Sequence, residues 1–176
     1  RAAMLEVGCG DVPGLVEAIT TANTAPDVDM IALAAGCTYT LAAANTGDNG
    51  LPVITSPITI VGRGAAIARS GAPATPSFRL FRVAATGDLT LRYLTISGGR
   101  APVGPAGDPI AGMGGPNAVV SGGAGGPGDD ATGGNGVAGG GGGAIYNDGG
   151  VVTLIGATLT GNAAGAGGGG GEGRGG

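Results

Sequence analysis

Two stretches of this chain copy one another. Phe81–Leu94 (FRVAATGDLTLRYL, running on into TISGG) aligns without a gap with Ala144–Ala157 (AIYNDGGVVTLIGA, running on into TLTGN), at an offset of 63 residues. A shorter third copy precedes them at Ile58–Arg69 (ITIVGRGAAIAR). Short alternating apolar segments that recur and are joined by Gly-rich turns point to a β-architecture of stacked repeats.

Aligning the copies gives the stacking. Ile58, Leu89 and Val152 correspond, as do Ile60, Leu91 and Leu154, and after the turn Ile67, Ile96 and Leu159. Thr59, Thr90 and Thr153 alternate with them, so a period of two turns the aliphatics inward and the threonines outward as a column. A third class of strand, Leu80–Val83 and Ala144–Tyr146, precedes the second and third copies. Three strands per turn with matching positions stacked predict an all-β parallel β-helix, its coils about 4.8 Å apart.

The composition suits a narrow core. The chain of 176 residues holds 43 glycines and only 3% aromatics, so its apolar material is mostly small aliphatic side chains. All eight cations are arginines, His is absent and the net charge is −4. Without a basic run, nucleic acid is not an expected partner. Without His, the commonest general base and metal ligand is missing. No segment approaches the roughly 20 apolar residues of a membrane helix, so membrane insertion is not expected. The first residue is Arg1 rather than Met, which reads as a processed chain or a fragment.

In chain order, residues 1–29 read as an N-terminal cap. Its helix over 12–24 carries Leu15, Val16, Ile19 and Ala22 on one face and Pro13 in the first turn. Met30–Leu41 reads as two short strands around Gly36 and Cys37. In a Lys-free, acidic, Gly-rich chain, Cys9 and Cys37 predict a disulfide formed in an oxidising compartment. Stacked coils are expected over 30–97 and 144–162. The segment 98–143 is a Gly-rich insertion, either a surface excursion or polyproline-II segments packed on one another. The tail 163–176 begins at the corner equivalent to Ser97, as the start of a second insertion or a truncated end.

These residues resemble a known group. The runs LVEAITTAN, DVDMIALAAGCTYTL, LPVITSPITIVGRGAAIARS, FRLFRVAATGDLTLRYLTISGG and GGGAIYNDGGVVTLIGATLTGN are similar to bacterial secreted right-handed parallel β-helix proteins with the pectin-lyase-like fold. The nearest are the polymorphic outer-membrane and cell-surface repeat proteins. The resemblance implies a right-handed, single-stranded solenoid and an extracellular, bacterial cell-surface location. It also implies a structural or adhesive role. Polysaccharide lyases and hydrolases share that fold, but none of their functional motifs has a counterpart here.

The residues offer four chemistries. For glycan cleavage the candidate carboxylates are Asp88 and Asp148, but neither recurs at the repeat offset and both sit at turns, where Asp is ordinary. Calcium has one candidate: GGPGDDATG at 125–133 partly matches a calcium-binding nonapeptide, which nominates Asp129 and Asp130. The column Thr59, Thr90, Thr153 suits ice or another flat surface. Finally, an uncovered end after Leu159 suits end-to-end self-association into a fibre or surface layer. The function expected is therefore non-catalytic, structural or adhesive, with self-association and glycans as partners and no cofactor. A polysaccharide-active enzyme is the alternative, and a calcium- or ice-binding module a weaker one.

Overall fold

The computed structural model describes residues 2–104, 110–111, 140–168 and 173–174. The segment 105–109 and 112–139, with Asp129 and Asp130, and most of the tail 163–176 beyond residue 168, lie outside the described residues.

The chain divides into two units, 1–102 with 141–165, and 103–140 with 166–176. The first opens with β1 (Met4–Val7) and α1 (Val12–Ala22), followed by β2 (Asp29–Leu33) and β3 (Thr38–Leu41). Then come β4 (Pro57–Arg69), β5 (Phe81–Ala84) and β6 (Asp88–Ser97). In the second unit lies β7 (Ile110–Ala111); the chain returns to the first for β8 (Ile145–Asp148), β9 (Val151–Ile155) and β10 (Thr158–Thr160). β11 (Gly173–Arg174) pairs in parallel with β7 within the second unit.

Seven strands of the first unit form one sheet, in the order β1-β2-β4-β6-β10, with β3 beside β4 and β9 beside β6. Each pairing in it is parallel. Alternation sets the two faces, as it must when successive residues of a strand point opposite ways. Ile58, Ile60, Ala65 and Ile67 of β4 are buried, and so are Leu89, Leu91, Leu94 and Ile96 of β6 in register with them. This side continues into a core with Leu15 and Ile19 of α1, Tyr39, Phe78 and Phe81.

This arrangement corrects the expected all-β, right-handed parallel β-helix. The described strands make a mostly parallel sheet with a helix packed on it, closer to the α/β class, and no closed solenoid is seen among the described residues. Two features account for the difference. Among the described residues the third set of strands supplies β5 and β8, a two-stranded sheet of its own, beyond which Val83 meets Ile54 through an isolated bridge. In addition, what reads in β4 and β6 as strand–turn–strand is one continuous strand in each, bent by a register shift between Val61 and Ala65. Gly62 permits the bend, because a Cβ there would fall 2.2 Å from Cβ of Leu94.

The helix forms at the expected place and ends two residues earlier than the pattern indicated. Asp11 caps its N-terminus by accepting the Gly14 N–H at 2.9 Å. Leu15, Ala18, Ile19 and Ala22 are buried, and the helix meets β1, β2, β3 and β4. Its C-terminal end is stitched to the segment before β4. Asn23 Nδ2 donates to the Val53 carbonyl at 2.8 Å, and its Oδ1 accepts the Thr55 N–H at 2.9 Å. Ser56 Oγ donates to the Ala22 carbonyl at 2.9 Å.

Cys9 and Cys37 form a disulfide, with their Cα atoms 5.4 Å apart, tying the turn before α1 to the start of β3. Beside it the fully buried Tyr39 bridges β1 and β2: its hydroxyl donates to the Val7 carbonyl at 3.1 Å and accepts the Ala34 N–H at 3.0 Å. The disulfide is the mark of a non-cytoplasmic setting. Among the described residues, no helix is long and apolar enough to cross a membrane.

Candidate binding face

The outward face of the seven-stranded sheet carries the most regular surface chemistry of the molecule. Thr59, Thr90 and Thr153 stand in register across β4, β6 and β9. On the other side of the bend lie two further columns. Thr38, Ala66, Thr95 and Thr158 are aligned across β3, β4, β6 and β10, and so are Thr40, Ala68, Ser97 and Thr160. Neighbours in a column are one strand spacing apart, about 4.8 Å. The residues on the inner strands are half-buried by their neighbours, whereas Thr38, Thr40, Thr153, Thr158 and Thr160 are exposed.

None of these nine hydroxyls is hydrogen-bonded to another of the described residues, whereas others are. The contrast with other hydroxyls is direct. Thr20, Thr24 and Ser56 donate to main-chain carbonyls, and Thr46 donates to Asn45. The two columns beyond the bend were missed in the sequence, although T-x-T at 38–40 and 158–160 and T-x-S at 95–97 carry their signal.

The bend divides the face. Arg63 and Tyr93 sit there with φ of 50° each, a left-handed conformation that strains residues bearing a side chain. On the adjoining strand the position opposite Tyr93 is Gly156, with φ of 59°. The Tyr93 ring is exposed, with the Arg92 guanidinium 5.8 Å from its centroid. A shallow depression of about 180 Å³ opens beside it, lined by Gly64, Tyr93, Leu94, Thr95, Gly156 and Thr158. No sequence signal marks Tyr93, because a turn there is ordinarily announced by Gly or Asn.

The ionisable candidates are dispersed. Asp88 stands in register with Pro57 and Val151, while Asp148 is held by Arg82, with Nη2 to Oδ2 at 2.6 Å. Arg69 is occupied by the loop that follows it. Its Nε donates to the Pro76 carbonyl at 2.8 Å, and its other nitrogens reach the carbonyls of Ser70 and Thr75. Burial, and then the charge of Arg100, lowers its pKa from the ordinary guanidinium value. Among the described residues, no three acidic, Cys or His side chains converge as a metal site. Compared with protein-family models, with curated proteins and with solved structures, the chain finds no match.

Proposed function

We propose that the chain is a non-catalytic extracellular protein of adhesive or structural type, displayed at a bacterial cell surface, which meets its partner through the hydroxyl-bearing face of the sheet. The observation that carries this reading is the set of nine hydroxyls in three registered columns, without a hydrogen-bond partner among the described residues. A row of donor–acceptor groups repeated at the strand spacing complements a partner that is itself repetitive and hydroxylated, such as an extended polysaccharide chain. Each hydrogen bond across such a face contributes about 1 kcal/mol, so useful affinity requires many in parallel. The disulfide supports an extracellular setting.

The test is a binding isotherm with insoluble glycans, comparing the native chain with Thr95→Val/Ser97→Ala/Thr158→Val/Thr160→Val. Loss of four hydroxyls should weaken binding at least about tenfold. Glycan binding that survives these changes, or no binding by the native chain, sinks the reading. The same array favours one other partner, the surface of ice, and inhibition of ice recrystallisation by the native chain would select it.

A further inference from the structure

We infer that β9 and β10 form the interface of a two-fold dimer of this chain, which joins the hydroxyl-bearing faces of two copies into one. β9 and β10 pair with β6 on one side, and among the described residues neither has a strand on the other. A free strand edge is ordinarily guarded by a charge, a proline or a bulge. Here the chain carries no charged residue and no proline between Asp148 and Glu172. The edge also bares its apolar side chains: Val151 is 55% exposed, Leu154 45%, Ile155 38% and Leu159 42%. One strand inward, Leu91 and Ile96, the counterparts of Leu154 and Leu159, are completely buried.

A second copy is the occupant that fits. Facing its own image, this edge meets an uncharged partner of equal length with the same apolar row. The opposite edge of the sheet offers much less. There β1 supplies four residues, and beside it Glu6, Asp11 and Glu17 line one depression of about 290 Å³. α1 stands against β3 at that end, where a copy's β10 would have to dock in a head-to-tail stack. The contact is therefore isologous and closes at two copies. A two-fold axis perpendicular to the sheet runs the strands of the copies antiparallel and keeps both threonine faces on the same side. The inference stands whatever the face binds.

Sedimentation of the native chain from low to high micromolar concentration should show a monomer–dimer equilibrium that stops at two copies. Leu154→Arg and Leu159→Arg should each weaken association by about tenfold or more, since a charge buried in the interface has no partner. Met4→Arg on the opposite edge should leave it unchanged. A monomer at every concentration, growth beyond two copies, or a dimer sensitive to Met4→Arg but not to Leu154→Arg overturns the proposal. If the arginine variants do not fold, hydrogen exchange of the native chain decides. Amides of 151–160 should gain protection as concentration rises, and no change there overturns the dimer.

Discussion

The ring of Tyr93 occupies the space that a side chain at position 156 would need: a Cβ on Gly156 would fall 2.6 Å from the Tyr93 Cδ1 atom. The pair sits at the bend where β6 and the β9–β10 junction run side by side. Tyr93 bears left-handed strain without repaying it in burial, since it is 52% exposed. Replacing it by Asn, which tolerates that conformation, should stabilise the fold by about 0.5–1 kcal/mol. Gly156→Ala should cost about 1–2 kcal/mol, because φ is positive and the ring is in the way. Part of that cost should vanish when both changes are combined. Denaturant titration of the four variants measures this coupling, and strict additivity would show that the ring and position 156 do not compete.

Breaking the Cys9–Cys37 bridge frees the turn before α1 from β3. The bridged residues are 28 positions apart, and opening a loop of that size should lower stability by about 3.6 kcal/mol in the chain-entropy view. Thermal unfolding with and without reductant reads this directly. Labelling of both thiols in the absence of reductant would show that the bridge does not form.

Tyr39→Phe removes a hydroxyl that bonds both the Val7 carbonyl and the Ala34 N–H, and leaves those two groups only their own bond to each other at 3.2 Å. The loss should be about 0.5–1.5 kcal/mol. Fast hydrogen exchange at Ala34 should accompany it, and unchanged exchange there would contradict the bridging role.

The Arg82–Asp148 pair is short, but both side chains are about two-fifths exposed. Asp148→Asn should therefore change stability by less than about 1 kcal/mol. A loss well above that in chemical denaturation would assign the pair a larger part in holding β8 to β5.

How far the fold could be read from the chain depended on which force decided each element. Ile58, Ile60, Leu89 and Leu91 were legible because burial imposes a period of two on any strand with one wet face. The helix was legible through Leu15, Ile19 and Ala22, and the disulfide through the company Cys9 and Cys37 keep. Closure was not legible: whether β5 and β8 extend into a complete third side depends on pairing between distant segments. The bend was misread as a turn, because Gly62–Arg63–Gly64 looks like a break and Tyr93 gives no warning. Leu154 and Leu159 carry the same letter as buried positions, yet among the described residues no further strand pairs beyond theirs, and they stay about two-fifths exposed. The threonine face was half visible, since Thr59, Thr90 and Thr153 were recognised but the columns through Thr38 and Thr40 were not.

The stitching of α1 by Asn23 and Ser56 has a consequence for biosynthesis. The helix leaves the ribosome before the groups that fasten its end, because Val53, Thr55 and Ser56 lie 30 to 34 positions downstream. Its own length, 11 residues, is too short to hold it helical in isolation. A nascent chain halted before Val53 thus holds α1 with β1, β2 and β3 but without the bonds at its C-terminal end, which form only once the residues just ahead of β4 have emerged.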